Sequence, residues 1–457
     1  MATGVSVIIP AHNAGRHIRL CLSALFAGSE LPDEIIVVDD GSWDDTAMVA
    51  SEFAVGLCRI DSRRGPAFAR NEGARAARGD ILLFLDADVC VGRDTIGRFR
   101  QAFEKDVELD ALFGSYDTTP QSPELLSQYR NLLHAWVHQS GSERASTFWS
   151  GCGAIRRALF LEHSGFSERI GRPAIEDIEL GYRLNRAGCR IALDREIQVT
   201  HLKRWTFRNL VKTDILDRGI PWTELILRDR YMPNDLNLHL SQRVSVAVVF
   251  ILVALSCFTA ISGGGYILIP LFTVMFAMLA RWWIEFSAPH TPRTASAVLV
   301  AIMTVIAFLA WRHGMYGIIP PLAISPVLLI VRHRYSPTGK RRKLLRFLAI
   351  VYICSSLCAA ALYFPANRFV FLCFGLLALL GVMNSQFYIF LAANRGVPFM
   401  LASIPFHLLY HFYNGFSFIA GAIRYGWTRF ASANASGEPV SGSSPVAKPE
   451  RVLLNAP

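Results

Sequence analysis

Ile81-Leu82-Leu83-Phe84-Leu85-Asp86-Ala87-Asp88 is a run of five apolar residues closed by two carboxylates one residue apart. An unbroken apolar run of this length reads as a strand buried on both faces, the kind found inside a parallel sheet. Such sheets bind ligands at the carboxyl ends of their strands, where Asp86 and Asp88 stand. Paired oxygen ligands can hold a hard divalent cation, and a cation there can carry the charge of a diphosphate. The plain alternative is a strand end followed by a solvated turn, because Asp-x-Asp is common in loops.

The neighbouring segments favour the first reading. Val5-Ser6-Val7-Ile8-Ile9-Pro10 is a second apolar strand, running into Ala11-His12-Asn13, and residues 34–38 are a third, ending in Asp39-Asp40-Gly41-Ser42. Between them Ile18, Leu22, Leu25 and Phe26 fall on one face of a helix over residues 16–26. The alternation repeats through 57–60, 67–77 and 81–85. A βαβ series with a parallel sheet follows, its acid-bearing loops on one edge.

Near residue 240 the chain changes character, so its 457 residues are read as two regions and a tail: 1–240, 241–430 and 431–457. Downstream, apolar stretches cover 244–261, 266–286, 295–311, 315–331, 345–364, 369–391 and 399–423. Several approach the roughly 20 residues that a helix needs to cross a bilayer, and the mean hydropathy of +0.32 agrees. Pro320, Pro321 and Pro326 make the fourth stretch re-entrant or kinked. His407, Tyr410, His411, Tyr413 and Asn414 give the last one a polar stripe, suited to the interface or to the inside of a bundle. The tail, rich in Ala, Ser, Gly and Pro, reads as disordered.

Charge sets the orientation. The loop over 332–343 is strongly basic and lacks acids, so it is expected in the cytoplasm, and four crossings before it put residues 1–240 on the same side. Met1 to Gly4 lead directly into the first strand with no signal peptide, which agrees with a multi-pass cell-membrane protein whose catalytic region stays inside. The formal net charge is +10, and no acid occurs between Glu285 and Glu438. Beside apolar spans this points to anionic lipid, and no nucleic-acid partner is expected. The nine cysteines form no Cys-x-x-Cys pair and read as small core thiols, with Cys354 and Cys358 sharing a helix face.

Five motifs then occur in order: Val5 to Asn13, Asp39-Asp40-Gly41-Ser42, Ala69-Arg70-Asn71-Glu72-Gly73, Asp86-Ala87-Asp88 and Glu176-Asp177-Ile178-Glu179-Leu180. Together they resemble the family-two inverting glycosyltransferases, with His12 standing where an aromatic is common. The resemblance implies an α/β, Rossmann-like GT-A domain over residues 1–240, followed by an α-helical transmembrane bundle. It also implies a nucleotide-diphosphate sugar as donor and Mg²⁺ or Mn²⁺ as cofactor. The run from Met383 to Tyr410 loosely resembles the membrane region of a bacterial subgroup of these transferases.

On this reading Pro10, Asp39 and Asp40 contact the donor's nucleoside. The alternative for the two acids is capping the next helix, a task that Ser42 with Asp45 can also perform. Arg70 and Asn71 would reach a phosphate or a ribose-binding carboxylate, though an ordinary surface Arg fits as well. Asp86 would touch ribose or metal-bound water and Asp88 would ligate the metal. His201, closing a strand over 197–200, is a further ligand, a diphosphate contact or a structural His. Asp177 takes the role of general base, with Glu176 as the alternative and helix capping as the plain reading of both.

Residues 205–226 interleave aromatic and basic side chains, as an interfacial helix would. Arg218, counted with the donor-binding residues, and Trp222 resemble the Gln-x-x-Arg-Trp signature of processive polysaccharide synthases. Ile215 and the longer Arg-to-Trp spacing break that match, which favours single transfer to a lipid-borne acceptor. A nucleotidyltransferase usually carries a basic Gly-rich opening loop, unlike residues 10–15. A transporter or scaffold would need no intact acids, yet Asp40, Asp86, Asp88 and Asp177 are all present.

Overall fold

The computed structural model describes residues 3–169, 174–261 and 368–436. Strands β1 (Val5–Ala11), β2 (Glu34–Asp40), β3 (Gly56–Ile60) and β4 (Ile81–Leu85) pair in parallel, joined by helices α1 (Gly15–Phe26), α2 (Thr46–Ser51) and α3 (Pro66–Ala76). This is the βαβ series that the apolar periodicity implies. A second half holds β5 (Val89–Val91), β6 (Ala111–Tyr116), β7 (Cys152–Arg156) and β8 (Ile191–His201). Here β7 lies antiparallel between β4 and β6, and β8 is parallel to β6 and antiparallel to β5. The order β3-β2-β1-β4-β7-β6-β8-β5 makes one mixed sheet, which fits a GT-A, Rossmann-like domain.

Alternate residues of the central strands enter two separate cores. Val5, Val7, Ile9, Ile81, Leu83 and Leu85 meet Ile18, Leu22 and Leu25 of α1, with Ile96 and Phe99 of α4 (Thr95–Lys105). Ile8, Leu82 and Phe84 point the other way. They join Ala69 and Ala74 of α3, Phe160 of α6 (Arg157–Glu162), and Leu180 and Leu184 of α7 (Glu176–Arg186). All five residues of β4 are fully buried, and each large side chain so buried contributes about 1.5–3 kcal/mol. The helix α3 approaches so closely that a Cβ on Gly73 would lie 2.4 Å from Ile8 Cγ2. With strands covered on both faces, only their ends are open to a ligand.

Helix α5 (Leu125–Ser140) carries the domain onto a helical region. That region comprises α8 (Phe207–Lys212), a π-helical turn Thr213–Gly219, α9 (Ile220–Asp229) and α10 (Leu240–Ile261). After the undescribed segment it continues as α11 (Arg368–Met383), α12 (Ser385–Arg395) and α13 (Val397–Ser436). Tyr129, Leu132, Trp205, Leu210, Phe387, Leu391, Tyr410 and Tyr413 form their shared core. His407, Tyr410, His411 and Tyr413 are all buried, so the polar stripe of the last apolar stretch packs inward. Trp205 is buried too, with Nε1 donating to Asn131 Oδ1 at 3.1 Å, rather than facing a bilayer.

Among the described residues no single helix is long and apolar enough to cross a membrane. Leu372–Met383 and Ser385–Arg395 reach that length together, but with a bend of 66°. Asn384 sits at the break, its Nδ2 donating to Leu380 O and Ser245 Oγ at 3.0 Å each. The stretch expected at 369–391 is therefore interrupted by a side chain tied to α10. The stretches at 266–286, 295–311, 315–331 and 345–364, the basic loop 332–343, Cys354, Cys358 and the tail from 437 lie outside the described residues.

Candidate active site

A cavity of about 710 Å³ opens at the carboxyl ends of β1, β2 and β4. Pro10, Asp40, Arg70, Asp86, Asp88, Glu176, Asp177, His201 and Arg218 all line it; Asp39 and Asn71 do not. The reasons lie in what each side chain is bonded to.

At the end of β2, Asp39 is 1% exposed; its Oδ1 accepts from Ser42 N at 3.0 Å, and Oδ2 lies 3.3 Å from Arg59 Nε. The Asp40 oxygens accept from Arg64 N and Gly65 N, each at 2.7 Å, so this carboxylate pins the loop before α3 while reaching the rim of the cavity. Gly41 makes the turn possible: its φ is +65°, and a Cβ there would lie 2.7 Å from Arg63 N. Neither acid caps α2, whose N-cap Asp45 makes no side-chain cap bond, while Asp44 just before it accepts from Thr46 N at 3.0 Å. His12 bonds through Nδ1 to Asp40 O at 2.8 Å and meets Trp43 edge-on, so the departure at position 12 is accommodated locally.

Arg70 is a buried junction between strand end and helix start. Its guanidinium donates to Asp86 Oδ1 at 2.7 Å and to Glu176 Oε1 at 2.8 Å. Burial opposes its charge, but Asp86, Glu176 and Asp177 together outweigh that and hold it above the usual arginine range. Glu176 also accepts from Ala174 N at 3.0 Å, so both its oxygens are engaged. Asn71, on the opposite side of α3, donates to Phe166 O and Glu168 Oε1 and accepts from Phe166 N, all at 2.9 Å. Its amide is saturated by the 166–168 segment, which removes it from donor contact.

Asp177 is treated differently. Its Oδ2 accepts from Ser150 N at 3.1 Å and Ser150 Oγ at 3.2 Å, and no cation pairs with it directly among the described residues. Burial and the neighbouring Glu176 push its carboxyl up to about 6, against the pull of Arg70. Such a group is ionised at neutral pH yet accepts a proton more readily than an ordinary aspartate.

Asp88 faces His201, with Oδ2 at 3.6 Å from Nε2. Burial raises Asp88, but His201, with Lys203 behind it, outweighs this and holds the carboxyl below the usual range. His201 Nδ1 bonds to Asn131 Oδ1 at 2.8 Å, and the same oxygen accepts from Trp205 Nε1. Two donors on one oxygen orient the amide and leave Nε2 toward Asp88. Among the described residues no three His, Cys, Asp or Glu side chains converge as a metal site. The expected set of Asp86, Asp88 and His201 is not assembled, because Arg70 already holds Asp86. Asp88 and His201 remain, an oxygen and a ring nitrogen that suit Mn²⁺, with the Asp88 oxygen alone suited to Mg²⁺, when phosphate oxygens complete the shell.

Several lining residues had no part in the motifs. Tyr116 stacks on His201 at 4.6 Å and touches His134, His138 and Trp149. Burial, with the charge of Arg218, lowers His138 to about 4, and burial with Arg130 holds His134 well below the usual histidine range, so both rings are neutral. Their i, i+4 spacing on α5 is the signal that places them on one face. Arg218, on the π-helical turn, has no carboxylate partner among the described residues.

Residues 6–163 match the family model described as glycosyl transferase family 2. An uncharacterized glycosyltransferase of Bacillus subtilis, YfnE, is 27% identical over 254 residues, covering 43% of this chain and 64% of the relative. The O-antigen chain rhamnosyltransferase RfbN of Salmonella typhimurium is 26% identical over 237 residues, covering 48% and 74%. Among solved structures, the mannosyltransferase PcManGT from Pyrobaculum calidifontis in complex with GDP-Man and Mn²⁺ aligns at 21% identity with a TM-score of 0.48, covering 62% of this chain and 83% of that one. The chain thus spans about two thirds of the length of the first of these relatives. The match to this family model over residues 6–163 is thus accompanied by relatives that bear glycosyltransferase names.

Proposed function

We propose that this chain is a membrane-bound inverting glycosyltransferase that moves one sugar from a nucleotide-diphosphate donor to the hydroxyl of a lipid-linked or cell-envelope acceptor. The observation that carries this reading is Asp177, raised to about 6 in the same cavity as Asp86 and Asp88. Asp177 takes the proton of the acceptor hydroxyl as that oxygen attacks the anomeric carbon. The bond from that carbon to the diphosphate breaks on the opposite face, and nucleoside diphosphate leaves. Asp88, joined by His201 in the case of Mn²⁺, would hold Mg²⁺ or Mn²⁺, which when bound supplies positive charge to the diphosphate. Arg70 keeps Asp86 and Glu176 in place, and Tyr116, Trp149 and the neutral His134 and His138 offer flat faces to a sugar or base.

The rhamnosyltransferase among the relatives supports transfer of a hexose-type sugar. Exposed Ile251, Val253 and Phe258 on α10 and Ile419, Ile423 and Trp427 on α13 support burial of the helical region in a bilayer. The basic loop 332–343 supports a cytoplasmic catalytic domain.

Purified, detergent-solubilised protein screened against nucleotide-sugars with a lipid extract tests the proposal. Release of nucleoside diphosphate that needs the lipid and stops in excess chelator is the expected result. Release of inorganic pyrophosphate from a nucleoside triphosphate would mark a nucleotidyltransferase, and full turnover in chelator would remove the metal.

A further inference from the structure

Beside the catalytic cavity lies a second one of about 410 Å³, and Arg218, Trp222 and Asn237 line both. Its walls come from α9, α10 and α13, with Ile226, Val246, Phe250, Phe418 and Ile419 giving them an apolar surface. Arg218, Arg243 and His411 are among the polar groups that interrupt that surface. Arg218 has no carboxylate partner among the described residues. Arg243 bonds to the Met232 sulfur at 3.3 Å and Asn234 Oδ1 at 3.2 Å, with its Nε unbonded. His411 is 1% exposed, and neither ring nitrogen has a hydrogen-bond partner among the described residues. The acid on this wall, Asp214, is already neutralised by Arg130 at 2.6 Å and bonded by Tyr413.

A cavity with hydrocarbon walls and unpaired cations is complementary to an anion on an apolar body. Unsatisfied groups of this kind are costly in a low-dielectric pocket unless a ligand completes them. The neighbouring base adds a second constraint. A phosphate oxygen, ionised at neutral pH, needs no base to attack, whereas a hydroxyl does.

We infer that the second cavity seats the acceptor, an amphiphile with three separate features. Its hydrocarbon lies between α9, α10 and α13, its phosphate-type anion rests against Arg218, Arg243 and His411, and a hydroxyl distinct from that anion extends to Asp177. The inference rests on the glycosyl-transfer reading and names the acceptor class for it.

Calorimetric titration of the full chain in nanodiscs with octyl phosphate, octanol and inorganic phosphate tests this, with UDP and GDP binding as the control. Octyl phosphate is expected to bind at least about tenfold more tightly than either of the others. Ala247→Trp, which fills the cavity from an exposed wall position, should weaken octyl phosphate by about tenfold or more. Arg243→Gln should erase the preference for phosphate over octanol and Arg243→Lys should keep it, with nucleotide affinity within about twofold in every variant. Equal binding of octyl phosphate and octanol, equal binding of inorganic phosphate, or indifference to Ala247→Trp would each overturn the site. Loss of UDP and GDP binding in the wild type, with octyl phosphate selectivity intact, would instead sink the donor reading and with it the acceptor role.

Discussion

Carboxylates at the end of β2 and at the start of α7 have the same chemistry and opposite fates. Asp39 takes a backbone N–H from Ser42 and lies beside Arg59, Asp40 takes those of Arg64 and Gly65, and the two acids hold a turn. Asp177 accepts from Ser150 on one oxygen and from Ile178 N at 2.8 Å on the other, and it sits half-buried beside Glu176; desolvation and that neighbouring charge lift it to about 6. Glu176 itself is tied to Arg70 and Ala174 N. Backbone donors reach both sites, so what separates them is the charge beside each carboxylate: Glu176 is paired with Arg70, whereas Asp177 has a carboxylate as its neighbour.

The sharpest way to break this contrast is Asp177→Asn. Sugar transfer should fall by about 10²–10⁴-fold, or roughly 3–5 kcal/mol in the barrier, while nucleotide affinity is unchanged. Transfer within a few-fold of wild type would make Asp177 another structural acid. Arg70→Met comes next. With Asp86 and the buried Glu176 left uncompensated, stability should drop by roughly 3–5 kcal/mol in denaturant titrations, and a loss under 1 kcal/mol would show that the junction is not structural. Asp40→Ala should cost about 1–3 kcal/mol of stability, since the buried Gly65 N–H and the partly buried Arg64 N–H lose their acceptor. A change confined to donor KM with stability intact would return Asp40 to the donor site. The smallest effect belongs to the partly exposed Arg424–Glu224 pair linking α13 to α9, where Arg424→Gln should cost no more than about 0.5–1 kcal/mol.

The parallel half of the sheet is legible in the sequence because apolar runs, helical spacing and strand-end acids repeat three times before Asp88. The antiparallel β7 is not, since five residues such as Cys152–Arg156 carry no signal of direction. The same limit applies to the site. Asp86, Asp88, Glu176 and Asp177 can be picked out by motif, but burial and partners separate them, and these come from residues as distant as Arg70 and Ser150. Asn71 and Asp39 carry the motif without facing the cavity, because Phe166 holds the Asn71 amide and Asp39 turns to Ser42 and Arg59. His134 and His138 enter it through the register of α5, which tertiary contacts with Tyr116, Trp149 and Trp205 fix.

The pH dependence of kcat/KM for sugar transfer tests the role of Asp177 most directly. A base must be ionised to act, so the rate should rise with pH through an apparent pKa of about 6 and level off above it. The same shift acts on stability with the opposite slope. The folded chain holds this proton more tightly than an unfolded one with a carboxyl near 3.8, so Asp177 should lower stability as pH rises between these values. In Asp177→Asn the residual transfer should lose the limb near 6. A wild-type profile flat through pH 6, or a limb that persists unchanged in Asp177→Asn, would contradict its assignment as the base.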